Sequence, residues 1–381
     1  EKGDALPEIN FRVPDRLRQF ILFTRRDILA KVADIQYLTI TLLEAPILAL
    51  CLSYLIRYFD ESAKNPKYYL SDNSNLPVYL FMSVIVALFM GLTISAEEIF
   101  RDRKILKREA FLNLSRNSYL MSKVAVQFGI SAIQTLSFVL LGNAITGIKE
   151  MTFEYWLILF TCWASANVMG LVISDSFKAV VTIYILIPFL IIPQIILSGV
   201  LVKFEKLNPN ISSPVSIPFY GELVTARWGY EALAVEQFVN NRYEKLFYEY
   251  DKRMSEARFK KDYWNSRIKM KLENLKSDIK KDTKDNDFNG DLNLVRNEFR
   301  KEMNILPAIR FGYLDDLTPD RVTAEIIDSA LEYTETLRKY YVRKYVEAND
   351  IKDQYVTRLE SEDKEAFVNL RNEYFNSSLE D

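Results

Sequence analysis

The chain has 381 residues, with 49 Lys and Arg against 51 Asp and Glu, no histidine and two cysteines. The lack of histidine removes imidazole acid–base chemistry, Ser-His triads and His metal sites. Cys51 and Cys162 both lie in apolar runs and are too few for a disulfide framework or a zinc site.

A near-balanced total charge suggests an ordinary soluble protein, but the average is misleading. Residues 35–202 are dominated by long apolar runs, and residues 239–381 are dense in Lys, Glu, Asp, Arg and Tyr. The chain opens on Glu1 with no signal pattern and reads as a fragment of a longer protein.

In chain order, residues 14–34 have helical periodicity. Leu17, Phe20, Ile21, Ile28 and Val32 fall near one stripe, which predicts an amphipathic helix suited to anionic lipid or to a cytoplasmic partner domain. A membrane-spanning helix needs roughly 20 mostly apolar residues. Five stretches qualify: 35–56, 76–96, 124–148, 155–174 and 179–202. The last four carry no charge, and the first carries only Glu44, an intramembrane acid beside Pro46. Polar residues in other spans that suit it as partners are Gln127, Gln134, Asn143, Asn167 and Gln194.

Lys and Arg concentrate before the first span and between the second and third, and thin out in the connections after the first and third. By the positive-inside rule the N-terminus is cytoplasmic, and five crossings leave residues 203–381 extracytoplasmic. Residues 97–123 then form a charged cytoplasmic hairpin pinned between two spans, a geometry suited to receiving a push from a soluble motor.

Three local patterns carry a family resemblance. One is Asp102-Arg103, then Arg108-Glu109, then Arg116, Ser118 and Tyr119 through Lys123. The second is Pro193 to Gly199. The third is Arg227-Trp228-Gly229-Tyr230-Glu231-Ala232-Leu233 followed by Glu236-Gln237-Phe238. In this order the chain resembles type-2 ATP-binding cassette (ABC) exporters, closest to the G subfamily, over residues 11–238. The resemblance implies a connecting helix (1–34), a bundle of six spans of which five are seen (35–202), an outer loop or re-entrant element (203–238) and a helical extracytoplasmic insertion (239–381). It implies that Asp102, Arg103, Arg108, Glu109 and Arg116 couple to a nucleotide-binding domain, and that Arg227, Tyr230, Glu231, Glu236 and Phe238 form the outer family element. No phosphate-binding G-x-x-x-x-G-K-[ST] loop occurs, so ATP and Mg belong to a domain fused upstream or separate, and no catalytic site is expected here.

The polar region predicts one long charged helix over 240–282, helix starts at Thr318-Pro319-Asp320 and at Ser361-Glu362-Asp363, and one acidic turn. In that turn Asp285, Asp287, Asn289 and Asp291 resemble a calcium loop, but Arg296 stands where a bidentate Glu is needed, and a solvated turn is the simpler expectation. The expected whole is an all-α membrane bundle: a half-transporter permease in the plasma or inner membrane, exporting a lipid or amphipathic molecule as a dimer. No nucleic-acid partner is expected. The alternative is an ABC-type machine that passes a shape change to an envelope partner through 239–381 and transports nothing.

Overall fold

The computed structural model describes residues 14–59, 67–109, 114–208, 210–211, 217–281 and 287–379. Its first unit comprises residues up to Glu244 together with Asn369–Asp381. It contains α1 (Arg16–Ala33), α2 (Ile35–Ile56), α3 (Leu76–Ser95), α4 (Glu98–Glu109), α5 (Arg116–Thr146), α6 (Thr152–Ser176) and α7 (Val180–Ile196). Among the described residues there is no strand. This suits a hydrocarbon environment, where a helix satisfies all its backbone groups internally.

Four helical stretches are long and apolar enough to cross a membrane: α2, α3 with its continuation into α4, α5 and α6. The fifth expected span, 179–202, is shorter in the structure. The helix covers 17 residues and ends at Ile196, and Gly199 turns the chain at φ 80°. Pro188 and Pro193 remove two backbone donors from it.

α3 packs along α6, and α5 packs along α1, α2 and α6. The α3–α6 contact depends on small residues. A Cβ added to Gly91 would lie 2.5 Å from the Trp163 carbonyl oxygen, and one on Gly170 would lie 2.0 Å from Ser95 Oγ. Around this contact Leu80, Val84, Phe138, Leu159 and Trp163 are buried. Close approach of small residues is how helices gain dispersion energy where lipid offers no hydrophobic drive.

α1 leaves most of the aliphatic stripe read from its sequence uncovered. Gln19 and Phe23 face α5, with Phe23 edge-on to Tyr119, whereas Leu17, Ile21, Ile28 and Val32 are exposed. Its packed face is the one that carries hydrogen-bonding and ionic groups, and the aliphatic stripe points away from the bundle.

After α7 come a short α8 (Phe219–Glu222) and α9 (Thr225–Val239). α9 packs on α3, α6 and α7. Gly229 permits the approach, since a Cβ there would lie 2.7 Å from Cys162 Sγ and 2.9 Å from Val84. Ala226 N donates to Gln194 Oε1 (3.0 Å), and Tyr155 OH donates to Gln237 Oε1 (2.7 Å).

The second unit is Lys245–Val368. The helix expected over 240–282 is broken into α10 (Glu244–Arg258), a π-helical turn (Phe259–Trp264) and α11 (Asn265–Lys281). The extra residue in the turn accompanies a buried Trp264, whose indole N–H donates to Glu298 Oε2 at 2.8 Å. α12 (Phe288–Ile305) and α13 (Ala324–Tyr374) complete a core of Leu272, Leu275, Val295, Phe299, Leu317 and Ile327. The start expected at Thr318-Pro319-Asp320 is instead a turn beside fully buried Leu317. The helix begins at Ala324, with Thr323 Oγ1 accepting from Ile326 N. The second expected start is present within α13: at Asp363 the chain leaves helical geometry (φ −157°), and its carboxylate caps a second helical segment by accepting from Ala366 N at 2.9 Å. Phe247 packs on Phe367, so the two chain ends of this unit are neighbours, as in an inserted domain.

The unit is therefore narrower than the 239–381 region marked by composition. Beyond Val368 the chain belongs to the first unit. Asn376 Nδ2 donates to the carbonyls of Leu70 (2.6 Å) and Asn73 (2.9 Å), and Glu373 pairs with Lys149 at 2.9 Å.

Candidate functional site: a buried charge cluster at one end of the bundle

One end of the bundle is built from α1, α4 and the first two turns of α5. Lys123 sits one residue before the apolar run 124–148, and its side chain is 4% exposed. Its ammonium meets Asp27 (2.5 Å) from α1 and both Glu98 (3.2 Å) and Asp102 (2.9 Å) from α4. Lys31 of α1 pairs with the other oxygen of Glu98. Tyr119 OH donates to Asp102 at 2.9 Å. Two ammonium groups and three carboxylates thus tie three helices together, and the phenol supplies a further donor.

Burial alone would lower the pKa of Lys123, but Glu98, Asp27 and Asp102 outweigh it and hold the ammonium above its ordinary value. Lys31 is likewise raised: burial pulls it down, and the Glu98 carboxylate pulls it further up. Burial raises the Tyr119 phenol, and the Asp102 carboxylate raises it further, which keeps it a donor.

A second set of contacts joins α4 to the end of α6. Ser174 Oγ accepts from the backbone N–H groups of Ile99 and Phe100, both at 3.0 Å, satisfying donors of the first turn of α4. Arg103 donates to the carbonyls of Ser174 (2.9 Å) and Asp175 (2.6 Å), placing a cation at the negative end of α6. Arg116 pairs with the Asp175 carboxylate at 3.1 Å. At the far end of α4, Glu109 accepts from Arg26 Nη1 at 2.9 and 3.1 Å. Gln19 bridges α1 to the start of α5 by accepting from Ser115 N at 2.7 Å.

The sequence neighbours Asp102 and Arg103 therefore face different helices. Glu109 turns to α1, and Arg108 is exposed with no ion pair among the described residues. Sequence reasoning placed the charged hairpin but not Asp27, Glu98 or Ser174. The available signal was a lysine at the very edge of an uncharged apolar run.

The family element expected on the outer side lies on α9. Arg227 pairs with Glu222 (3.0 Å) and Glu231 (3.5 Å) and stacks on Trp228. Tyr230 packs edge-on to Phe81, Glu236 accepts from Asn240 at 2.8 Å, and Phe238 is half-buried. Glu44 is half-exposed and unpaired among the described residues. Of the five polar residues suggested as its partners, Gln134 donates to the Thr41 carbonyl, Asn167 to Ser131, and Gln194 accepts from Ala226. Gln127 and Asn143 are buried without hydrogen bonds to their amides. Of the acidic turn, Asp285 lies outside the described residues. Asp287 immediately precedes α12, Asn289 and Asp291 lie in its first turn, and Asp291 pairs with Lys271. No metal-competent acidic group occurs among the described residues.

Residues 18–238 match the family described as ABC-2 type transporter. Over 175 residues, 43% of this chain and 19% of the relative, the sequence is 26% identical to ABC transporter ATP-binding/permease protein Rv1747 of Mycobacterium tuberculosis. Over 197 residues, 51% of this chain and 22% of the relative, it is 22% identical to ABC transporter G family member STR of Medicago truncatula. The matched stretches cover about a fifth of each relative's length. Membrane domains of this family work with a nucleotide-binding domain, and the mycobacterial relative is by name a fused ATP-binding/permease protein. The family match takes in more than half of the chain, and the chain belongs to the ABC-2 type transporters: it is the integral membrane permease domain of an ABC transporter.

Proposed function

We propose that this permease serves an ATP-driven exporter of lipid or amphipathic molecules. It acts as a half-transporter paired with a second copy in the plasma or inner membrane, with the charged end of the bundle in the cytoplasm. The observation that carries the reading is the Lys123 cluster, which fastens α4 to α1 and α5 while Arg103 and Ser174 fasten it to α6. A nucleotide-binding domain pressing on α4 would move these helices together, because each hold is buried or made to backbone. ATP and Mg would be bound by that domain. Five or six helices are too few to enclose a pathway, which is the reason for the dimer. The test is ATP-dependent movement of a fluorescent lipid in proteoliposomes of the full transporter, with and without Glu109→Lys. Transport by the parent and its loss in the variant, with insertion intact, supports the reading. Undiminished transport by the variant refutes the coupling role.

The compact core of Lys245–Val368 favours a second reading, in which an extracytoplasmic domain passes the conformational change to an envelope partner. ATPase activity that responds to such a partner, with no substrate moved, would select it.

A further inference from the structure

A cavity of about 480 Å³ opens between α2, α3, the start of α4 and α7. That size falls within the range of small-molecule sites. Ile40, Ile94 and Tyr184 give it an apolar and aromatic wall, and four carboxylates line it: Asp34, Glu44, Glu97 and Glu98. Two of these are neutralised within the protein. Glu97 takes Arg101 at 3.0 Å, and Glu98 takes Lys31 and Lys123. Asp34 caps α2 by accepting from Tyr37 N at 3.0 Å.

Glu44 is different. It stands nine residues beyond Ile35 in α2, roughly 14 Å along the helix axis at 1.5 Å per residue. It has no hydrogen bond or ion pair among the described residues, and the side chains suited to it are committed elsewhere or buried apart. A carboxylate inside a spanning helix is costly unless a cation, a proton or a polar partner compensates it. The described residues supply no such partner, and Glu44 lines the cavity.

We propose that this cavity binds the cationic head of an amphipathic molecule, with Glu44 as its counter-ion and Ile40, Ile94 and Tyr184 against its apolar body. The assignment rests on the exporter reading and narrows its substrate class to amphiphiles bearing an ammonium or similar cation. An acidic lipid would instead meet the unneutralised charges of Glu44 and Asp34.

The test is equilibrium binding, without ATP, to the full transporter in nanodiscs of zwitterionic lipid. The probes are a fluorescent alkyltrimethylammonium, an alkyl sulfate and a neutral alkyl glycoside of equal chain length. The ammonium probe is expected to bind at least about tenfold tighter than the other two, the lower end for a charge-assisted contact. Glu44→Gln should erase that preference without shifting the thermal unfolding midpoint, and Glu44→Asp should retain part of it. Equal binding of the three probes, or an unchanged preference in Glu44→Gln, overturns the proposal. Should Glu44→Gln fail to fold, Ile94→Trp fills the cavity from α3, and cation binding that survives it overturns the proposal equally. Selective cation binding by a protein that transports nothing would sink the exporter reading alone. Export of neutral or acidic lipid with no cation preference would sink only this assignment.

Discussion

Replacing Lys123 with Met keeps an unbranched side chain of similar volume, one heavy atom shorter, and removes its charge. The ammonium is 4% exposed and lies within 3.2 Å of three carboxylates, so water can do little to compensate. The cluster would change from two cations and three anions to one cation, Lys31, and three anions. Removing one partner of a buried ion pair costs about 3–5 kcal/mol, because the remaining charge is left desolvated and unpaired. The Arg26–Glu109 pair provides an internal control. At 41% and 29% exposure it is screened by solvent, and Arg26→Gln should cost no more than about 1 kcal/mol. Denaturation of both variants in one mild detergent, at low and high salt, gives the comparison. The Lys123→Met loss should be several times larger and nearly independent of salt, since buried pairs are poorly screened. Adding Asp102→Asn to Lys123→Met should recover part of the loss by removing one uncompensated anion, whereas Asp102→Asn alone should destabilise. A Lys123→Met cost below about 1 kcal/mol, or one that vanishes in high salt, would refute the view that this cluster clamps α4.

Ser174→Ala leaves two N–H groups of α4 without their acceptor and should cost roughly 1–2 kcal/mol, read as a lower unfolding midpoint, with faster proteolysis within α4. Gly170→Val drives a side chain into Ser95 and should destabilise the bundle by about 1–3 kcal/mol or block its folding; normal stability would mean α3 and α6 do not meet there. In a variant lacking Cys51 and Cys162, Glu332→Cys should be labelled from outside intact cells (or spheroplasts) by an impermeant thiol reagent, and Lys104→Cys should not; the reverse pattern would overturn the proposed orientation. The isolated segment Lys245–Val368 should give a cooperatively unfolding helical protein in water, because its core is its own and its ends adjoin.

The sequence by itself determined four of the five expected spanning helices, the all-α class and the family. A hydrocarbon slab fixes both the length and the polarity of what crosses it, so apolar runs mark the helices without knowledge of their neighbours. Helix starts read from local chemistry were mixed: the one at Asp363 is capped as expected, and the other is displaced. Thr318-Pro319-Asp320 has the residues of a helix start, yet fully buried Leu317 and the turn closed on the Thr318 carbonyl delay the helix to Ala324. The periodicity of α1 identified an aliphatic stripe, but only packing showed that Gln19, Phe23 and Asp27 hold it to α5 while that stripe faces away. The tertiary structure also decided which charges matter. Asp27, Glu98 and Lys123 lie up to 96 positions apart in sequence and gain their role only by meeting in one buried volume. Local pattern cannot show this, because the same carboxylate costs little on a solvated helix face and a great deal when desolvated. The partner that decides between the two is set by how helices pack, not by the residues beside it in the chain.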